Sequence, residues 1–222
     1  MGLGKQSNYK PKIYLKIFEG KISKTVQEGT ENSVHRINKN GNKVYELYYP
    51  YVEGKMVDLN VEQSQKYGAS IKIDLEDSSQ EVFTLTIPVD SMYGQKFICK
   101  LKNLDLSKYI RVTPYSFEDK DTGKNRKGVT IYQPESGEYF SEFTDIKPVK
   151  INDFITYEMM PEIKKTEMLG QTKYDNTDRI LYLVEHLQEF IKGMKSDDSE
   201  QELETTEGTK SEDNNETSDL PF

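Results

Sequence analysis

Aromatic rings and cationic side chains recur together along this 222-residue chain. Tyr14 and Lys16 share one face of an alternating stretch. Arg111, Tyr115 and Phe117 share one face of another, and Lys124, Arg126 and Lys127 follow close behind in a Gly-bearing turn. Tyr49 belongs to a third such stretch, with Tyr45, Leu47 and Tyr51 on its side. A guanidinium or ammonium group neutralises a phosphate and a flat ring stacks on any base, so this combination is the chemistry for holding a polyanion that carries rings of its own. Catalytic chemistry has no comparable set of residues. The chain contains no Walker loop, Gly-x-Gly-x-x-Gly, His-Glu-x-x-His, Gly-x-Ser-x-Gly or paired-cysteine zinc spacing. His35 has no second ligand near it in sequence, and His186 falls within an amphipathic helical pattern. No enzyme activity, metal or cofactor is therefore expected.

The charge is unevenly placed. Residues 196–222 hold ten acidic residues against one base, Lys210, so this segment outweighs the whole formal charge of −8 and leaves the body about neutral. Almost no apolar residue interrupts the acidic run, which predicts disorder. The run closes in Asp219, Leu220, Pro221 and Phe222, an apolar hook with a ring to fill a pocket and a carboxylate for a basic rim. An acidic tail ending Asp-Leu-Pro-Phe resembles those of bacterial and phage single-stranded-DNA-binding proteins, which end in Asp-Ile-Pro-Phe or a close variant. The resemblance rests on these four residues and their acidic context. It implies sequence-independent binding and protection of single-stranded DNA in replication, recombination and repair. In that family the tip docks on replication proteins such as a polymerase, primase or helicase, and the acidic run competes for the protein's own DNA groove. Under this resemblance Tyr14, Lys16, Tyr49, Arg111, Tyr115, Phe117, Lys124, Arg126 and Lys127 are the candidate DNA-binding residues, and Asp219 to Phe222 the partner-binding ones.

The elements that must position these residues read as follows. Alternation from Pro11 predicts a strand with Ile13, Leu15 and Ile17 turned to the core. Val34–Asn38 and Lys43–Tyr51, separated by an Asn-Gly turn, predict a hairpin. A further strand is expected in Lys55–Val61. Ala69–Leu75 and Glu81–Ile87 predict a second hairpin, with Ile71, Ile73 and Leu75 opposing Phe83, Leu85 and Ile87. A short helix capped by Asp90 or Ser91 follows. Tyr109–Phe117 reads as a strand with Ile110 and Val112 inward, then a flexible basic loop from Glu118 to Gly128, then a third hairpin from Val129–Gln133 and Tyr139–Thr144 with Tyr132 and Phe140 as further exposed rings. Lys147–Lys173 reads as an irregular connection with room for one strand. From Asn176, apolar residues at helical spacing predict an amphipathic helix of about eighteen residues ending near Gly193.

Hairpins spaced along the chain around one internal helix argue for an antiparallel barrel or sandwich rather than a parallel sheet. The predicted architecture is mainly β: an elaborated oligonucleotide/oligosaccharide-binding (OB) fold in residues 1–174, an amphipathic helix in 175–195 and a disordered acidic tail in 196–222. A single cysteine, Cys99, excludes an internal disulfide framework, and no stretch has the length of a signal peptide or a membrane span, so a cytoplasmic protein without membrane contact is expected, in the host cytoplasm if phage-encoded. The chain could act as a monomer or a homodimer. An alternative reading, an acidic DNA mimic that regulates an enzyme without binding DNA itself, accounts for the tail but not for the repeated faces of rings and bases.

Overall fold

A computed structural model describes residues 11–64, 68–135, 140, 148–168 and 171–206, with the side chains of 168 and 196–206 left undescribed. The first strand, β1 (Ile13–Phe18), turns Leu15 into the core. Glu19 and Gly20 both adopt positive φ, 47° and 78°, which is the backbone of a two-residue primed turn and matches the twist of the strands it joins. The turn leads into β2 (Lys21–Val26), a strand that alternation does not announce because Lys21 and Lys24 dilute it. The Asn-Gly hairpin is present as β3 (Val34–Ile37) and β4 (Lys43–Tyr49), its turn held by Asn38 Oδ1, which accepts from the backbone N–H of Asn40 and of Asn42, both at 2.9 Å.

A meander follows: β5 (Val52–Ser64), β6 (Gly68–Glu76) and β7 (Val82–Pro88). Ile71, Ile73 and Leu75 lie opposite Ile87, Leu85 and Phe83, the register expected from their alternation. Helix α1 (Met92–Ile98) is capped by Ser91, whose Oγ accepts from Gly94 N–H at 3.0 Å. The chain then returns as β8 (Tyr109–Glu118) alongside β5, giving the order β8-β5-β6-β7 of a Greek key. β9 (Asn125–Pro134) pairs with β8 from Asn125 to Tyr132, and β10 (Pro148–Lys150) adds an outer strand. The second arm of the expected third hairpin lies outside the described residues except for Phe140.

The ten strands form one mixed sheet in the order β10-β9-β8-β5-β6-β7-β1-β2-β4-β3. The expectation of a wholly antiparallel arrangement needs correction at one place: β1 and β7 run parallel, with Leu15 opposite Leu85. More than sixty residues separate these two strands, so no tight turn imposes the opposite direction. The fold is mainly β, and among the described residues no ladder joins the two ends of the sheet. The sheet nonetheless curls enough to bring together strands that do not pair. A Cβ built on Gly20 would stand 2.4 Å from the backbone nitrogen of Ser116, so the β1–β2 turn abuts β8.

Beyond the sheet, β11 (Lys164–Met168) and β12 (Gln171–Asp175) pair as a separate two-stranded arm within the stretch expected to be irregular. Helix α2 (Thr177–Thr206) follows, with the Asp175 carboxylate accepting from Thr177 N–H at 3.0 Å. Leu183 and Leu187 are fully buried in the core, and α2 meets α1 and the 3-10 turn Leu101–Asn103. The helix runs well past Gly193 and takes residues 196–206, expected to be disordered, into its last turns. Glu, Gln and Leu in that stretch are strong helix formers, and one glycine costs about 1 kcal/mol, too little to stop them. The remaining acidic segment, including Asp219, Leu220, Pro221 and Phe222, lies outside the described residues. Among the described residues no helix is long and apolar enough to cross a membrane.

Candidate functional site

Strands β8 and β9 together carry five of the nine candidate DNA-binding residues. Ile110 and Val112 are buried on the core side of β8, while Tyr109, Arg111, Thr113, Tyr115 and Phe117 lie on the other, as period-2 alternation requires. The pairing with β9 places Arg126 opposite Phe117 and Gly128 opposite Tyr115. Arg126 and Lys127 are therefore strand residues rather than members of a flexible loop, and the turn is confined to the residues between Glu118 and Asn125. The rings of Tyr115 and Phe117 lie 5.7 Å apart at an interplanar angle of 38°. Phe117 is 53% exposed. Gly128 is the seat of Tyr115: a Cβ at that position would stand 2.6 Å from the phenol oxygen and 2.8 Å from Cζ.

Two adjoining grooves open on this face. One, of about 590 Å³, has Tyr115, Phe117, Arg126, Lys96, Lys100 and Lys150 in its wall. The other, of about 560 Å³, shares Tyr115, Lys96 and Arg126 and adds Lys124, Lys127 and Tyr157. Five of the predicted residues, Tyr115, Phe117, Lys124, Arg126 and Lys127, are thus brought together. Lys96, Lys100, Lys150 and Tyr157 join them without having been singled out in the sequence. Lys96 and Lys100 are spaced one helical turn apart, a signal that could have been read; Lys150 and Tyr157 sit in a connection whose pattern gives none.

The cations of this face differ in how far they are already engaged. Asp153 accepts from Lys96 at 3.1 Å and also pairs with Lys100. Burial would raise the Asp153 carboxyl, but hydrogen bonds from Lys100 and Lys96 outweigh it and hold it below its ordinary value. Burial would likewise lower Lys96, and Asp153 raises it instead. Arg126 pairs with Asp119. Among the described residues Lys124, Lys127 and Lys150 have no carboxylate partner, so their charge is open to an incoming anion.

The other candidates lie elsewhere on the sheet. Arg111 is committed within the protein: its Nε donates to Glu53 at 2.6 Å and its guanidinium lies 4.4 Å from the ring centroids of both Tyr51 and Phe140. These two rings, with Tyr49, Tyr109 and Phe83, line a cleft of about 460 Å³ between the β1–β2 hairpin and the start of β5 and β8, a volume typical of ligand sites. Tyr14, 61% exposed, stands with Lys12, Lys16 and Lys24 around a shallower groove across β1 and β2. Lys16 has a structural partner. Its Nζ lies 2.7 Å from Glu46, a fully buried carboxylate that Arg36 also binds at 2.7 and 2.9 Å and Tyr48 at 2.9 Å. Burial alone would raise Glu46, but the bonds from Arg36, Lys16 and Tyr48 bring it down to about 2. The Arg36 guanidinium sits 4.6 Å from the Phe18 ring, which is paired with Tyr48, so this network stiffens the β1–β2–β4–β3 side of the sheet.

Cys99 is buried, and burial pushes its thiol up, away from the reactive thiolate form. Among the described residues no group of three or more His, Cys, Asp or Glu gathers as a metal site. Comparison with known proteins finds no matching family model, no matching curated protein and no matching solved structure.

Proposed function

We propose that this chain binds single-stranded DNA without reading its sequence, covering it during replication, recombination and repair, and that its C-terminal segment recruits replication proteins. The observation that carries the reading is the groove on the outer face of β8 and β9, where a paired Tyr115 and Phe117 adjoin Lys124, Lys127 and Lys150, three cations without carboxylate partners among the described residues. Exposed rings offer stacking to any base, and unpaired ammonium groups offer neutralisation to any phosphate, so neither contact depends on sequence.

The topology supports the OB-fold part of the proposal. β8-β5-β6-β7 is a Greek key with α1 in the connection before β8, and β1 beside β7 makes a fifth strand. A five-stranded, partly open Greek-key barrel is the OB architecture. Contact of Gly20 with β8 draws the open sides together. The remaining strands extend this unit at both ends of the sheet, and α2 is the amphipathic helix that runs on into the acidic segment.

Replacing both stacking rings, Tyr115→Ala with Phe117→Ala, tests the reading. Loss of oligonucleotide binding by tenfold or more with an unchanged melting temperature is expected from roughly 1–3 kcal/mol per stacked base. Unchanged binding removes the groove from the interface.

A further inference from the structure

The arm formed by β11 and β12 pairs with no strand of the large sheet, and every one of its residues whose side chain is described is exposed. A two-stranded hairpin alone is marginal in water and gains stability when a third strand or a helix covers it. Among the described residues nothing pairs with the outer edge of β11, and its sequence specifies what can fill it. When a strand pairs antiparallel with its own copy about a twofold axis, some residue must stand opposite itself, because hydrogen-bonded and non-hydrogen-bonded pairs alternate and the symmetry must preserve that alternation. Centring such a pair on Lys165 sets two ammonium groups face to face, and centring it on Glu167 sets two carboxylates. Centring it on Thr166 places each Lys165 opposite the second copy's Glu167, and the two threonines opposite each other. Of these three centres only Thr166 avoids like charges face to face, and it also keeps the pairing within β11.

The local contacts agree with this assignment. Lys164 is engaged with Asp178 at 2.7 Å at the base of α2. Lys165 and Glu167 have no ion-pair partner among the described residues, and the Lys165 ammonium lies 6.0 Å from the Tyr174 ring across the arm. The β12 edge offers a lesser match. An exchange of Lys173 with Asp175 about Tyr174 would compete with the role of Asp175 at the start of α2, where it accepts from Thr177 N–H and Oγ at 3.0 and 2.6 Å. The arm carries three bases, Lys164, Lys165 and Lys173, against two acids, Glu167 and Asp175, and Lys164 is already paired with Asp178, so little net attraction for a polyanion is left.

We infer that two copies of this chain associate through their β11 strands, paired antiparallel about Thr166 into a four-stranded sheet. The inference does not depend on the nucleic-acid reading. Sedimentation equilibrium of the full chain without nucleic acid should show a concentration-dependent dimer. Lys165→Glu and Glu167→Lys, each of which sets like charges opposite each other twice in the symmetric pair, should each raise the dimer Kd about tenfold. The combined Lys165→Glu/Glu167→Lys variant should return it close to that of the unaltered chain. The inference is overturned by a monomer at all concentrations, by single reversals that leave the dimer unchanged, or by a double variant no tighter than the single ones. It is equally overturned if the reversals alter oligonucleotide affinity while leaving the mass of the free protein unaffected, since the arm would then be a nucleic-acid contact.

Discussion

Tyr115 is held in place by what its neighbour lacks. Because the phenol lies over the bare Cα of Gly128, Gly128→Ala should displace the ring without unfolding the strand, since the atom in the way is the far end of a side chain. Oligonucleotide affinity should fall severalfold with an unchanged melting temperature; a lowered melting temperature with unchanged affinity would mean that the ring is part of the packing rather than of the interface. The cations divide in the same manner. Lys124 and Lys127 have no carboxylate partners among the described residues, so alanine at either should reduce the log–log salt slope of binding by about 0.7, the share of one phosphate contact on a single strand. Lys16 is paired with the buried Glu46, so Lys16→Ala should instead lower stability by about 1–3 kcal/mol, read in urea melts, and leave the slope nearly unaltered.

At the scale of elements, the β1–β2 hairpin depends on two features with separate tests. Gly20 adopts positive φ and touches the backbone of β8, so Gly20→Ala should cost about 2 kcal/mol or more. Glu46 makes the network on that side of the sheet sensitive to acid. Its folded carboxyl titrates near 2, below the ordinary value of 4.5, so its contribution is complete above about pH 4.5 and is lost as pH falls toward 2. That contribution is on the order of 3 kcal/mol. Glu46→Gln should flatten the dependence of the urea midpoint on pH between about 5 and 2. What was legible in the sequence follows the same division. Alternation located β1, the β6–β7 register and the outward face of β8, because those strands have one wet side. It missed β2 and the arm, whose lysines and threonines carry no apolar period. It also could not show that Lys16 and Arg111, which look like free cations in sequence, find Glu46 and Glu53 across neighbouring strands.

The whole molecule joins a near-neutral β body to a strongly acidic end, and the two should interact. Removal of residues 207–222, which spares α2, should tighten oligonucleotide binding at low salt, where an attached polyanion competes best, and the gain should vanish as salt screens it. Removal of Phe222 alone should leave that affinity unchanged and weaken capture of a replication partner by about thirtyfold, as expected for loss of one anchoring ring. Both effects presuppose that the body binds a single strand, and one measurement tests this directly: fluorescence anisotropy of a labelled oligo-dT titrated with the full chain between about 50 mM and about 200 mM salt, with duplex DNA of equal length as competitor. Single-strand binding by the body should weaken linearly in log–log form with rising salt, with competition by unlabelled oligonucleotides of other sequence and little competition by duplex. Binding that is indifferent to salt, or duplex competing as well as single strands, would contradict it.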